Sequence, residues 1–137
     1  MKIKKEKDGH WHHNHGVSKC VYHLVFCPKY RRKVLVPPVD AAFKRLVKSK
    51  QEEYGFKVLE MEVMPDHVHL LLQCTPDLGI MNVMRKIKGY TARELRLKYP
   101  HLKSRLPCLW TRGKYIATVG SVQLETVKRY IANQKNV

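Results

Sequence analysis

The chain has 137 residues, enough for one compact domain to fold without disulfides or a structural metal, and too few for a second catalytic domain. The 27 Lys and Arg residues outnumber the 11 Asp and Glu residues and give a formal net charge of +16. This charge argues against a metabolic enzyme acting on small neutral substrates and predicts a polyanionic partner.

Cysteine usage and hydropathy predict the cellular setting. The four cysteines, Cys20, Cys27, Cys74 and Cys108, form no Cys-x-x-Cys pair, and three lie in or beside apolar runs, so we expect reduced core residues of a cytosolic protein. No apolar run approaches the roughly 18 residues that cross a bilayer, and the N-terminus lacks the apolar segment of a secretory signal. The expectation is a soluble, cytoplasmic protein with no membrane partner.

The first residues differ from the rest of the chain. Residues 1–16 are polar, basic and rich in histidine, ending in HWHHNHG, and show neither helical nor strand periodicity. They predict a flexible N-terminal tail, although four histidines could also bind metal adventitiously. Residues 17–137 are then expected to form a single domain.

The first half of that domain predicts a strand and a helix. Residues 20–27 are rich in Val, Tyr and Phe and stop at Pro28, which is typical of a strand end. The basic segment 29–33 follows as a loop or strand extension. After two prolines, Asp40 is positioned to cap a helix that continues to about Tyr54 and is closed by Gly55.

The middle of the chain predicts a β-hairpin. Alternation over residues 56–63 places Leu59, Met61 and Val63 on one face and Val58, Glu60 and Glu62 on the other. A turn at residues 64–66 leads to a second strand at 67–73, so the two strands should pair in antiparallel fashion.

The last part predicts a helix, a strand and a further helix. After Pro76, helical spacing of Ile80, Val83, Met84, Ile87 and Thr91 indicates a helix that leaves Arg85, Lys88 and Arg96 outside and ends before Pro100. A loop with Trp110, Arg112 and Gly113 leads to a strand at residues 115–119. Ser121 is then predicted to cap the final helix.

The element order is therefore β-α-β-β-α-β-α. With short connections, this order predicts an α+β, ferredoxin-like (RRM-like) fold, a four-stranded antiparallel sheet with two helices on one face. The C-terminal helix is an addition, and the second sheet face is left for that helix, a ligand or a partner subunit.

Two histidines share one face of a predicted strand. Because side chains alternate along a strand, His67 and His69 point the same way while Val68 and Leu70 point into the core. The spacing suits two ligands of a divalent cation, although structural or solvent-exposed histidines have the same pattern. A histidine-triad hydrolase would need a third histidine where Leu71 stands, so that class lacks its nucleophile.

The final helix carries a second pair of reactive side chains. Tyr130 and Gln134 lie one helical turn apart, beside an apolar stripe of Leu124, Val127 and Ile131 that would dock the helix. A tyrosine beside such a stripe can simply be a packing residue with its hydroxyl in water. A neutral phenol acting as a nucleophile needs help from a metal or a proton acceptor.

Five motifs in a fixed order make the chain resemble a known family, the single-tyrosine HUH transposases of the 200/605 group of small insertion sequences. The resemblance covers residues 20–134. It rests on residues 22–31 (YHLVFCPKYR), 64–71 (MPDHVHLL), 88–93 (KGYTAR), 118–120 (TVG) and 130–134 (YIANQ).

The resemblance implies a reaction and roles for these residues. It implies that His67, His69 and Gln134 hold Mg²⁺ or Mn²⁺ and that Tyr130 is the nucleophile. The implied activity is cleavage and joining of single-stranded DNA during transposition through a 5′-phosphotyrosine link, at hairpins that flank the element. It further implies a homodimer in which the tyrosine helix can act in trans, in a prokaryotic cytoplasm and nucleoid-associated when bound to DNA.

Clusters of basic residues are the candidates for DNA contacts. We expect backbone contacts from the basic segment and the second long helix, through Lys29, Arg31, Arg32, Lys33, Arg85, Lys88 and Arg93. Two alternatives stay open: a domesticated relative that processes chromosomal repeat hairpins, and a non-catalytic module that binds single-stranded nucleic acid. The second lacks the aromatic RNA-recognition string.

Overall fold

The computed structural model describes residues 4–5, 11–13, 16–18 and 20–134, and these residues form both strands and helices. The strands are β1 (Lys4–Lys5), β2 (Trp11–His13), β3 (Gly16–Ser18), β4 (Cys20–Pro28), β5 (Phe56–Met64), β6 (His67–Cys74) and β7 (Trp110–Val119). The α-helices are α1 (Val39–Ser49), α2 (Gln51–Tyr54), α3 (Ile80–Lys98), α4 (His101–Ser104) and α5 (Leu124–Ala132), and a 3₁₀ turn spans Lys29–Arg31.

The main sheet contains four strands in the order β5-β6-β4-β7, and every neighbouring pair is antiparallel. Within this sheet, β4 comes first and β7 last along the chain, and these two strands are neighbours. The hairpin β5-β6 lies on the other side of β4. This is the ferredoxin-like order, and the predicted fold class is confirmed.

One face of the sheet carries the hydrophobic core. Helices α1 and α3 cover it, and fully buried side chains such as Leu24 of β4, Leu70 of β6, Phe43 of α1 and Ile87 of α3 form one cluster. Val68, Leu70 and Leu72 all belong to this cluster, as the alternation along β6 predicted. Strand β6 lies inside the sheet and is buried on both faces, so the side chains that it carries are held in fixed positions.

The other face carries α5 on a much smaller apolar contact. Ile131 is fully buried against Val21 of β4 and Leu71 of β6, and Leu124 and Val127 pack beside it. The predicted docking stripe of α5 is thereby confirmed. Beyond this contact, His67 at the start of β6 is partly exposed.

A β-bulge in β5 corrects the predicted strand faces. The pairing of β5 with β6 shifts between Val58 and Glu60, so Leu59 is an extra residue. Met61 and Val63 lie in the main core as predicted, but Leu59 packs on the α5 side and Val58 packs on the core side. A regular alternation cannot reveal where one residue is inserted.

Several predicted boundaries are also corrected. Helix α1 begins at Val39 with no side-chain cap, and Asp40 lies inside its first turn, where its carboxylate accepts a hydrogen bond from the Ala41 amide. The helix breaks at Lys50 before α2, which Gly55 closes in the left-handed region with φ 74° as predicted. Helix α5 begins at Leu124 after three turn residues, so Ser121 does not cap it.

Two further differences concern the region between α3 and β7. Helix α3 ends at Lys98, before Pro100 as predicted, but α4 follows at once and was not predicted. Strand β7 starts at Trp110, so Trp110, Arg112 and Gly113 belong to the strand and not to a loop. Its pairing with β4 is irregular between Phe26 and Pro28, which explains why no alternating pattern marks this stretch.

The N-terminal segment contains short strands where no regular structure was predicted. Strand β2 pairs with β1 and β3 in a separate antiparallel sheet. Backbone pairing of such short polar segments needs no apolar alternation, so no sequence pattern predicts it. Flexibility of residues 1–16 and the boundary at residue 17 stay predictions.

The four cysteines are free thiols in different environments. Only Cys74 is a core residue, and its burial raises the pKa of the thiol to about 11. Cys20 and Cys27 are half-buried and Cys108 is exposed, which corrects the expectation of a common core position. Within the described residues, no helix is both long and apolar enough to span a membrane.

Candidate active site

His67 and His69 lie side by side on the sheet face that also carries α5. Their ring centroids are 5.0 Å apart, and the rings are nearly perpendicular. Leu71, the next residue on this face, is covered by α5, so the two histidines lie just beyond the docked helix. The structure thus confirms that the pair shares one face opposite the main core.

Helix α5 brings Tyr130 to this pair within the same chain. The Tyr130 ring is 5.9 Å from the His69 ring, edge to face, and its side chain is about half exposed (55%). Ile131, the neighbouring residue, is the buried anchor of the helix. Because anchor and tyrosine are adjacent, the docking contact fixes Tyr130 at the edge of the histidine pair.

Gln134 follows one turn later and lies close to His69. Its amide nitrogen donates a hydrogen bond to the Tyr130 carbonyl oxygen at 3.4 Å, and its side chain favours the protonated form of His69. No hydrogen bond of ordinary geometry joins Gln134 to the His69 Nε2, however, because that atom is buried without a partner among the described residues. The structure therefore assembles all four predicted side chains in one place.

Asp66 holds the first histidine of the pair. Its carboxylate Oδ1 lies 2.8 Å from His67 Nδ1, and its other oxygen forms an ion pair with Arg31 at 3.2 Å. The hydrogen bond from His67, followed by the Arg31 charge, holds the pKa of Asp66 below its usual range despite partial burial. An ionised carboxylate accepts from Nδ1–H, which leaves His67 Nε2 free to bind a ligand.

His23 of β4 contacts the second histidine. The His23 Nε2 atom lies 3.1 Å from His69 Nδ1, and the two rings are stacked with an interplanar angle of 21°. Tyr115 and Tyr130 each place a ring edge-on against His23 at 5.7 and 6.4 Å. No role was predicted for His23 or Asp66, although His23 is a polar residue between the apolar Val21 and Val25 on one strand face.

Burial keeps the central histidine neutral. The pKa of His69 falls to about 4, first because the ring is buried and then because His67 and His23 lie beside it; Gln134 and Glu62 oppose this shift. Burial also lowers the pKa of His23. Both rings are therefore uncharged at neutral pH, the form in which an imidazole can bind a metal.

The donor set fits a divalent cation. Two imidazoles and one carboxamide converge, and one imidazole nitrogen, His69 Nε2, is buried with no hydrogen-bond partner in the described part of the chain. A buried polar atom without a partner is costly unless a ligand completes it. In residues 4–5, 11–13, 16–18 and 20–134, no three His, Cys, Asp or Glu side chains form a group that could hold a metal ion.

The predicted DNA contacts lie in two regions. Lys29 to Lys33 form the turn after β4, where Tyr30 and Arg31 have left-handed φ angles of 60° and 49°. On α3, Arg85 and Arg93 are exposed, whereas Lys88 is half-buried and donates to the Thr111 carbonyl at 2.8 Å. Burial, followed by the Lys114 charge, lowers the pKa of Lys88, which corrects its predicted outward position.

The chain is a four-stranded ferredoxin-like domain in which a histidine pair faces a tyrosine on a helix. The family model described as "Transposase IS200 like" matches residues 16–134, and the chain belongs to that family.

Curated relatives agree with this membership. The chain is 40% identical over 120 residues to the ISDra2 transposase TnpA of Deinococcus radiodurans, covering 86% of each protein. It is 32% identical over 122 residues to the transposase for insertion sequence element IS200 of Salmonella typhimurium, covering 88% of this chain and 80% of the relative.

Solved structures share the fold. A crystal structure from Deinococcus radiodurans, described as that of a transposase, superposes with a TM-score of 0.71 at 36% identity, covering 86% of this chain and 92% of the other. A REP-associated tyrosine transposase bound to a REP hairpin gives a TM-score of 0.64 at 14% identity, covering 83% and 65% of the two chains.

Proposed function

We propose that the protein is a metal-dependent single-strand DNA endonuclease and strand transferase that acts at hairpin-flanked ends of an insertion sequence. Its membership in the IS200-like transposase family supports DNA transposition as the process. The single observation that carries the proposed chemistry is the position of Tyr130, 5.9 Å from the His69 ring on the face that presents His67 and His69.

Tyr130 is the proposed nucleophile. Its oxygen attacks the scissile phosphorus, a new bond forms between that oxygen and phosphorus, and the bond to the 3′ oxygen breaks. The phenolic proton leaves to water, since the side chain is half exposed, and the departing 3′ oxygen takes up a proton to become a hydroxyl. The product is a 5′-phosphotyrosine link that retains the energy of the phosphodiester.

The second step reverses the first with another strand. A 3′-hydroxyl attacks the phosphotyrosine, the bond to Tyr130 breaks, and the tyrosine recovers a proton. One phosphodiester is exchanged for another, so strand joining needs no nucleoside triphosphate. The ring contacts of Tyr130 with His69 and His23 hold the phenol at the same place for both steps.

His67, His69 and Gln134 are the proposed ligands of Mg²⁺ or Mn²⁺. When bound, the cation polarises the phosphate and stabilises the charge that develops on its oxygens. Three protein ligands leave positions open for phosphate oxygens, and the amide of Gln134 supplies the oxygen that a hard cation prefers. Asp66 keeps His67 in the orientation that presents Nε2.

A basic groove between α3 and the start of β7 is the proposed DNA-backbone surface. It encloses about 610 Å³, and Arg85, Arg112 and Lys114 surround an apolar floor that includes Met84 and Trp110. Exposed cations over an apolar floor suit a phosphate backbone with an unpaired base. The REP-associated relative was solved with a hairpin, which supports a hairpin as the ligand of this chain.

Removing two charges from this groove should weaken hairpin binding and its salt dependence. For Arg85→Gln combined with Lys114→Gln, we expect the slope of log K against log salt to fall by about 2, because each phosphate contact contributes roughly 0.9. Fluorescence anisotropy with a labelled hairpin at several salt concentrations measures this slope. Arg45→Gln with Lys48→Gln removes the same charge from α1, and an equal loss in that control would contradict the assignment.

A homodimer with exchange of α5 between subunits remains part of the proposal. In the structure α5 packs on its own sheet through Ile131, so one chain can complete the site in cis. The contact is small, with one fully buried side chain on the helix, which is consistent with a helix that can also dock on a partner.

The direct test uses labelled single-stranded hairpin DNA from the genomic flanks, incubated with the protein and Mg²⁺ or Mn²⁺. A covalent protein–DNA band on a denaturing gel that disappears with EDTA would support the reaction. Tight binding without such a band would contradict the proposed chemistry and favour a non-catalytic binding module. Cleavage of chromosomal repeat hairpins, with no activity at element ends, would favour the domesticated relative.

A further inference from the structure

His23 and His69 share one hydrogen bond, and its direction decides whether the Nε2 atom of His69 carries a proton or a free lone pair. The His23 Nε2 and His69 Nδ1 atoms are 3.1 Å apart, and a hydrogen bond at this distance places one proton between the two nitrogens. If His23 donates, His69 carries its own proton on Nε2. If His69 donates, its Nε2 has a free lone pair.

We propose that His23 is a positioning residue that accepts a proton from His69 Nδ1 and thereby directs the unprotonated Nε2 of His69 to the cation. This inference rests on the proposed metal site. His23 contacts no ligand in this scheme and acts only through His69.

The two histidines of the pair are then held in the same way. Asp66 accepts from His67 Nδ1 at 2.8 Å, and His23 accepts from His69 Nδ1 at 3.1 Å. Both rings use Nδ1 for the protein and leave Nε2 for the ligand. Partners of this kind fix the tautomer and ring orientation of metal-binding histidines.

The surroundings of His23 suit an acceptor that does not move. It lies in the middle of β4, paired with Leu71 of β6 on one side and Ala117 of β7 on the other. The rings of Tyr115 and Tyr130 pack edge-on against it. The backbone ladder and the flanking rings together hold Nε2 opposite His69.

The first test measures Mn²⁺ binding by the DNA-free protein, using the electron paramagnetic resonance signal of free Mn²⁺. His69→Ala defines the background from other sites, including the histidine-rich N-terminal segment. We expect His23→Phe, which keeps a ring but removes the acceptor, to weaken the His69-dependent affinity about 10- to 100-fold. His23→Gln restores an acceptor oxygen and should recover most of that affinity.

Tyr115→Phe is the matched control, because Tyr115 contacts His23 and is not one of the proposed ligands, and this variant should bind Mn²⁺ like the original protein. Equal affinity in His23→Phe would overturn the inference while leaving the metal site intact. An equal loss in His23→Phe and His23→Gln, with both folded by circular dichroism, would reduce His23 to a packing role and overturn it too. Failure of the original protein to exceed the His69→Ala background would overturn the metal site itself.

A second measurement needs no variant. Long-range ¹H–¹⁵N correlation spectra of the metal-free protein distinguish the two histidine tautomers. We expect His69 to carry its proton on Nδ1 and His23 to show an acceptor Nε2. A His69 proton on Nε2 would overturn the inference.

Discussion

Replacing Tyr130 with phenylalanine should abolish the covalent DNA adduct and DNA cleavage, with a loss of at least about 10⁴-fold, because the attacking oxygen is gone. Hairpin affinity should remain within about twofold, since the ring contacts with His69 and His23 are kept and the phenol is not part of the basic groove. Denaturing gels measure the first quantity and anisotropy measures the second.

Tyr115→Phe is the control for this experiment as well. It removes a second exposed hydroxyl on the same sheet face, beside His23, and should cleave normally. Normal cleavage by Tyr130→Phe would remove Tyr130 from the role of nucleophile. Loss of activity in both variants would mean that the effect comes from the local surface and not from one oxygen.

Replacing His67 with alanine should reduce Mg²⁺- or Mn²⁺-dependent cleavage at least about 100-fold while the domain stays folded. The side chain is partly exposed and lies outside both apolar clusters, so its loss leaves no cavity in the core. In this variant Asp66 would still be paired with Arg31, so its carboxylate would not become an unpaired charge. Initial cleavage rates across a metal titration, with thermal unfolding in parallel, measure both effects.

His101→Ala provides the comparison, because His101 is an exposed histidine on α4 and contacts none of the site residues. It should leave the metal titration unchanged. The histidine-rich N-terminal segment is present in both variants and therefore cancels from the difference. Unchanged metal dependence in His67→Ala would contradict the metal site.

The fold was predictable because its strongest signals are local. Val68, Leu70 and Leu72 share one strand face, and Val83, Met84 and Ile87 share one helical face, and the structure places all six in the main core as expected. The bulge at Leu59 and the missing cap at Ser121 were not predictable, because both depend on how a segment meets its neighbours. The predicted helix start at Asp40 failed for a similar reason, since the two prolines before it set the backbone.

The positions of the four candidate site residues were predictable from the sequence, but the residues that contact them were not. Shared faces follow from spacing, so His67 with His69 and Tyr130 with Gln134 could be paired from the sequence alone. Bringing the two pairs together required the docking of α5 through Ile131. The contact between His23 and His69 joins residues 46 positions apart on neighbouring strands, and no local pattern encodes that register.

The position of Leu71 has a consequence for how this site tolerates change. His67, His69 and Leu71 lie in this order on one face of β6. Leu71 packs against Ile131 and so forms part of the surface on which α5 docks. A substitution at Leu71 would leave Tyr130, Gln134 and the two histidines unchanged. It would, however, weaken the docking of α5, the helix that carries Tyr130 and leads to Gln134. Under the proposed mechanism, selection for activity should therefore also act on this buried apolar residue, and an inactive copy of the element could arise there with Tyr130, Gln134 and both histidines still in place.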